Sequence, residues 1–176
     1  MVCVGDSGLG KSTLAAGFME RGYSILSDDV VPINVLAEAM PGYPRIKIWQ
    51  DTADHLNIKT QDLKRIRPDI PKFNLPLSAA FHAMQLPIRW IFELHAKDQE
   101  KVTLEPLNGM ERFQSIYNNL YKVEFMQSLM TQAHFDICSK LTHIASVVRV
   151  TRPTKISSLD MLIDELISHM AQESNA

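Results

Sequence analysis

The sequence predicts one α/β domain in which helices flank a mixed β-sheet. Three patterns indicate this fold class. Near the N-terminus, an apolar run over residues 1–4 leads through a glycine-rich turn into a helix-forming segment, as in a strand–loop–helix unit. Residues 45–49 alternate basic and apolar side chains with the period of a half-buried strand. Residues 159–170 repeat apolar side chains at helical spacing. No linker divides the chain, so we expect a single domain over residues 1–176.

The N-terminal elements follow from local signals. The first helix is predicted over residues 12–21, and Gly22 suits the left-handed position just after its end. A strand over Tyr23–Ser27 should come next and end at Asp28 and Asp29. This order places two carboxylates at the end of the second strand.

The middle of the chain is predicted to be rich in strands. After the 45–49 strand, Asp51 looks like the N-cap of a short helix, and a second short helix is expected after Thr60. The strand-like runs 88–96 and 101–107 are separated only by a short polar segment, so we expect them to form a hairpin.

The C-terminal part is predicted to be mainly helical. Helices are expected over residues 109–120 and 123–143, followed by a strand over 147–150. Ser157 or Ser158 should cap the closing helix. The apolar face of that helix consists of Leu159, Leu162, Ile163, Leu166, Ile167 and Met170.

Composition and charge argue against several functional classes. The net charge of −2, without a basic stripe interleaved with aromatic residues, gives no reason to expect nucleic acid. No apolar stretch approaches the roughly 20 residues of a membrane span, and no secretory signal is visible. Cys3, Cys138 and the six histidines show no metal-ligand spacing. We therefore expect a cytoplasmic protein that binds neither nucleic acid nor membrane, and we leave a homo-oligomer open.

The most specific motif is a phosphate-binding pattern, G-x-x-x-x-G-K-[ST]. Its residues are Gly5, Asp6, Ser7, Gly8, Leu9, Gly10, Lys11, Ser12 and Thr13. The glycines allow backbone N–H groups to face phosphate oxygens, and the helix N-terminus adds partial positive charge. Lys11 should reach the β- and γ-phosphates, while the Ser12 hydroxyl should ligate Mg²⁺. The alternative, a glycine-rich turn without a ligand, is disfavoured by the strand before the motif and the helix after it. We expect a nucleoside triphosphate, ATP, with Mg²⁺.

Two carboxylates follow this motif closely. Asp28 and Asp29 lie 17 and 18 residues after Lys11. Because ligands of open α/β sheets bind at the carboxyl ends of strands, both should lie beside the loop. One carboxylate can hold Mg²⁺, and the other can accept the proton of an attacking hydroxyl. A solvated turn is the alternative, and the neighbouring phosphate motif favours the catalytic interpretation.

Basic residues supply further candidates. Arg45, Lys47 and Lys72 could neutralise charge that develops on a transferred phosphoryl group. The alternative is that they are ordinary solvated side chains, as most surface charges are.

The motif and the acidic pair together resemble the HPr serine kinase/phosphorylase family and, more distantly, phosphoenolpyruvate carboxykinase. The matching segments are residues 5–14, 21–23 and 26–31. The chain is more similar to HPr-kinase-related proteins of ribosomal-peptide biosynthetic clusters, including lasso-peptide kinases. Those proteins tend to carry segments like residues 41–49 and 149–153.

The resemblance implies a P-loop kinase domain that phosphorylates a serine hydroxyl on a protein or peptide with Mg-ATP. By motif position, Lys11 and the loop hold the phosphates, Ser12 and Asp29 hold Mg²⁺, and Asp28 is the base. The two aspartates can exchange these roles. A regulatory or inactive nucleotide-binding protein and a small-molecule kinase remain alternatives.

Three departures separate the chain from the bifunctional HPr enzymes. The motif begins at residue 5, so the family's upstream segment has no counterpart, and we expect a fragment or a start that lies upstream. Residues 45–51 carry no glutamate equivalent to the family's Glu-x-Arg-Gly signature. Thr13 stands where those enzymes often have Glu. The missing glutamate argues against HPr as the acceptor and against phosphorolysis, and Thr13 indicates a related branch of the family rather than the central one.

Overall fold

The computed structural model describes residues 1–121 and 132–174. Two short 3₁₀ turns, Ser78–Ala80 and Ile156–Ser158, accompany the regular elements. The strands are β1 (Val2–Val4), β2 (Glu38–Ala39), β3 (Arg45–Trp49), β4 (Lys72–Pro76), β5 (Leu86–Pro87), β6 (Trp90–Lys97), β7 (Thr103–Pro106) and β8 (Ser146–Pro153). The helices are α1 (Lys11–Glu20), α2 (Gln50–His55), α3 (Gly109–Asn118), α4 (Gln132–Ile144) and α5 (Leu159–Ser174).

The main sheet has the strand order β1-β6-β8-β7. Strands β1, β6 and β8 are parallel, and β7 runs antiparallel to β8. In this register Val4 lies beside Glu93, and Glu93 lies beside Arg149. The carboxyl end of β1 therefore adjoins its neighbours at the edge where α/β proteins bind ligands.

Helices cover both faces of this sheet because its strands are apolar on both sides. Along β6, Phe92 joins a buried cluster with α1 and α5, whereas Ile91 joins a cluster with α3 and α4. Strands β3 and β4 pair antiparallel outside the main sheet. Their buried residues, including Ile46 and Ile48, pack against Ala16 of α1 in a third cluster. Helix α1 is thus held between α5 on one flank and β3 on the other.

Several sequence predictions are confirmed. The chain is mixed α/β, with a mixed sheet flanked by helices. Strand β3 spans the predicted residues 45–49, and Gly22 adopts a left-handed φ of 85° after α1. The closing helix buries its predicted apolar face, although Ile167 and Met170 are only partly buried. Ser158 precedes that helix, yet its hydroxyl donates to the Lys155 carbonyl.

Three predicted elements are wrong. Residues 23–27 form no regular strand, because Ile25 makes only an isolated bridge to Phe81. The helix expected after Thr60 is a series of turns, tied to β4 by the bond from the Asn74 amide to the Lys64 carbonyl. The expected hairpin does not form either, since β8 lies between β6 and β7 and pairs with both.

One further helix boundary differs from prediction, and another lies outside the described residues. Helix α2 begins at Gln50, so Asp51 lies in its first turn and is not its N-cap. The predicted 123–143 helix is found as α4 over Gln132–Ile144, and residues 122–131 lie outside the described part. Within the described residues, every helix is too short or too polar to cross a bilayer.

Candidate functional site: the phosphate-binding loop

The predicted phosphate motif forms the connection between β1 and α1. Strand β1 ends at Val4, and Lys11 is the first residue of the helix. Gly10 occupies the N-cap position with a φ of 88°, a left-handed conformation that glycine adopts without steric cost. The Gly10 carbonyl accepts the first helical hydrogen bond, from the Leu14 amide at 2.8 Å. The backbone therefore delivers the helix N-terminus to the carboxyl edge of the sheet, as an anion site requires.

Lys11 arches back over the loop. Its Nζ donates to the carbonyls of Gly5 and Asp6, each at 2.7 Å. Burial lowers the pKa of Lys11 below its ordinary value, while Asp6, Asp28 and Asp29 act in the opposite direction. Among the described residues, no carboxylate lies within ion-pair distance of this ammonium. Its charge is thus directed into the loop without a direct counter-charge.

The two aspartates lie on the β3 flank of the loop, and they have different partners. The Ser12 hydroxyl donates to Asp28 Oδ1 at 2.8 Å, and the Lys47 amide donates to Asp28 Oδ2 at 2.8 Å. Asp29 instead pairs through Oδ2 with the Lys47 ammonium. Asp29 has a φ of 66°, a left-handed conformation in which aspartate is more tolerated than most residues. The structure therefore joins Ser12 to Asp28, whereas motif position assigns Ser12 and Asp29 to the metal.

The carboxylates reach the loop without the predicted strand before them. The Ile25 amide donates to the Ala80 carbonyl, and the Gly42 amide donates to the Leu26 carbonyl. A Cβ on Gly42 would lie 2.1 Å from Ser27 Oγ, so residue 42 must be glycine for the two segments to approach this closely. Backbone contacts from neighbouring loops thus hold the segment that presents Asp28 and Asp29.

Of the three basic candidates, only Lys47 contacts a carboxylate of the acidic pair. The Arg45 guanidinium lies over the Tyr43 ring at 5.5 Å, and the Lys72 ammonium over the Trp49 ring at 5.3 Å. Arg45, Trp49 and Lys72 lie on the outer face of β3 and β4, and with Tyr43, which precedes β3, they form a basic and aromatic rim. The rim borders the same cleft as the loop.

Sequence reasoning missed Arg152 as a site residue. Its Nε donates to the Leu9 carbonyl at 3.0 Å, which connects the end of β8 to the loop. Burial lowers the pKa of Arg152 below its ordinary value. The available signal was its position at the end of an apolar strand, Val147–Val150, since such strand ends face the ligand in parallel sheets.

An open cleft of about 1300 Å³ unites these groups. It extends from the rim, across the acidic pair and the loop, to Arg152 and the start of α5. A nucleotide and part of an acceptor fit in such a volume, since small-molecule sites typically measure about 300–1,000 Å³. No cluster of three or more His, Cys, Asp or Glu side chains suited to a metal occurs within residues 1–121 and 132–174. The donors at Ser12 and Asp28 nevertheless suit Mg²⁺, which typically takes one or two carboxylates, phosphate oxygens and water.

Comparison with protein families, with curated proteins and with solved structures finds no match for this chain. The resemblance to HPr-kinase-related proteins therefore rests on the quoted sequence segments alone.

Proposed function

We propose that this protein is a Mg²⁺-dependent ATP phosphotransferase that phosphorylates a serine hydroxyl on a protein or peptide. The hydrogen bond between Ser12 and Asp28, beside the loop and Lys11, is the observation that carries this proposal. It joins the Ser12 hydroxyl of the phosphate motif to a carboxylate 16 residues away. A glycine-rich turn without a ligand would not require this contact. The kinase resemblance of residues 5–14 and 26–31 supplies the reaction class.

The contacts favour one assignment of roles on the phosphate side. The loop amides and Lys11 hold the β- and γ-phosphates, and Ser12 with Asp28 holds Mg²⁺. Bound Mg²⁺ would neutralise charge on the bridging phosphate oxygens. Lys47 supports this arrangement because its amide fixes the second oxygen of Asp28.

Asp29 is then the candidate base. The two aspartates thus exchange the roles that motif position assigns to them. Its side chain is 42% exposed, so an incoming hydroxyl can approach it. Lys47 orients its carboxylate and offers a cation next to the transferred group. The basic and aromatic rim lies on the same flank, where an acceptor peptide would bind.

Asparagine variants separate the two roles. Asp29→Asn should preserve Mg-ATP binding and reduce phosphoryl transfer to serine peptides by about 10²–10⁴-fold, the usual contribution of a general base. Asp28→Asn should raise the Mg²⁺ concentration that supports both binding and transfer. Binding is measured by calorimetry, and transfer is measured with radiolabelled ATP. Asp136→Asn, an exposed change on α4, serves as the matched control.

The outcomes distinguish the alternatives. Full transfer by Asp29→Asn would contradict its role as the base. Retained Mg-ATP binding by Lys11→Ala would contradict the phosphate-loop assignment itself. Binding by the unmodified protein without transfer to any serine peptide, protein or small hydroxyl compound would instead support a regulatory nucleotide-binding protein.

A further inference from the structure

Among the partly buried arginines of the described residues, Arg152 and Arg112 have no acidic partner, and of these two only Arg152 lines the cleft. Arg21 pairs with Asp160 and Asp164 on α5, and Arg149 pairs with Glu93. Within the described ranges, no carboxylate lies within 4.0 Å of the Arg152 guanidinium. A guanidinium remains charged at every physiological pH, so its partial removal from water is costly unless an anion compensates.

The loop and its own strand fix the orientation of this cation. Nε donates to the Leu9 carbonyl at 3.0 Å, and Nη1 donates to the Pro153 carbonyl at 2.6 Å. Nη2 lies 3.2 Å from the position that a Cβ would take on Gly10, the N-cap of α1. Only two of the five N–H donors of the guanidinium are used in these bonds. The remaining donors are therefore held at the end of the loop, on the border of the cleft.

Arg152 approaches the loop from the flank opposite the acidic pair. Leu14 and Phe18 of α1 pack towards β8 and α5, whereas Ala16 packs against β3. Arg152 comes from β8, and Asp28 adjoins β3 through the Lys47 amide. A polyphosphate lying along the loop would thus meet metal-binding groups on one flank and a guanidinium on the other.

We propose that Arg152 forms a second anion-binding position of the cleft and contacts a phosphate oxygen of the nucleoside triphosphate. This inference rests on the proposed function, because it assumes that the loop binds a polyphosphate. The planar fork of arginine suits phosphate oxygens, with which it forms paired, charge-assisted hydrogen bonds. Arg152 is thus a binding residue that adds to Lys11 from a distant part of the chain.

Inorganic tripolyphosphate and Mg-ATP test this position in the full chain by calorimetry. Arg152→Gln should weaken the binding of both ligands by at least tenfold. Arg152→Lys should weaken it less, because lysine keeps the positive charge but lacks the planar fork of the guanidinium. The unliganded Arg152→Gln protein should unfold at the same or a higher temperature, since the change removes a desolvated charge. Arg21→Gln, which alters an arginine between α1 and α5, should leave both affinities within about twofold.

Each result separates this inference from the proposed function. Equal tripolyphosphate affinity in Arg152→Gln and the unmodified protein would overturn the role of Arg152, while loss of binding in Lys11→Ala would keep the loop assignment. A lowered unfolding temperature with unchanged affinity would show a structural role and also overturn it. If the unmodified protein binds neither probe, both proposals fail. If Arg152→Gln does not fold, unchanged affinities in Arg152→Lys overturn the inference.

Discussion

Replacing Gly17 with alanine tests the packing of α1 on α5, which sets the position of the loop. A Cβ at Gly17 would lie 2.7 Å from Cδ1 of Ile163 and 3.2 Å from Cδ2 of Leu159. Both partners are buried, with 1% and 5% exposure, so they have little room to move. Alanine gains about 1 kcal/mol of helix propensity over glycine, while overpacking a core typically costs about 1–3 kcal/mol. We expect a net loss of about 1 kcal/mol in the free energy of unfolding.

A double-mutant cycle, read by urea denaturation, makes this expectation specific. Ile163→Val removes Cδ1 and alone should cost about 1 kcal/mol. In the Gly17→Ala/Ile163→Val variant, the new methyl group fills the space that Cδ1 leaves. The double variant should therefore lose at least about 1 kcal/mol less unfolding free energy than the summed losses of the two single variants. If Gly17→Ala instead stabilises the protein and the two changes in unfolding free energy are additive, the close approach of α1 and α5 is refuted.

Two further predictions concern titratable groups. Burial acts to raise the pKa of Glu93, but the hydrogen bond and charge of Arg149, with His95 Nε2 3.2 Å away, outweigh it and hold the pKa below its ordinary value. Stability from Glu93 is therefore present above the ordinary glutamate pKa, about 4.3, and is lost as pH falls through the folded-state pKa. Glu93→Gln should flatten the acid limb of stability against pH in urea titrations, and an unchanged limb would contradict this. Burial raises the pKa of the Cys3 thiol to about 12 and also raises that of Cys138. Both thiols should react with iodoacetamide at pH 8 at least about a hundredfold more slowly in native than in unfolded protein, and comparable rates would refute it.

The elements that sequence predicted well depend on local signals. The strand–loop–helix unit follows from the glycines and the apolar residues around the motif, and Gly22 ends α1 because a left-handed residue is favoured there. Strand β3 alternates buried Ile46 and Ile48 with exposed or half-buried neighbours. In each case the residues that determine the element lie within a few positions of it.

The wrong hairpin shows where local signals end. Strands β6 and β7 are neighbours in sequence, yet β6 pairs along its whole length, Trp90–Lys97, with β8. The pairing buries Phe92 beside Val148 and Leu94 beside Val150 in one core cluster. The short polar connection between β6 and β7 allows a hairpin but does not require one. The pairing of β6 depends on packing with β8, a strand about 50 residues away in sequence.

The charge of the site follows from the same long-range pairing. Within the described part of the chain, six basic and four acidic side chains line the cleft, although the whole chain has a net charge of −2. The ten residues are Lys11, Arg45, Lys47, Lys72, Arg152 and Lys155 with Asp6, Asp28, Asp29 and Asp51. They come from the loop and the start of α1, the segment at residues 28–29, β3, α2, β4 and the end of β8 with the turn after it. No short stretch of sequence therefore contains the excess of positive charge. The composition gives no sign of a general affinity for polyanions, whereas the fold concentrates positive charge in one cleft, where it would favour an anionic ligand.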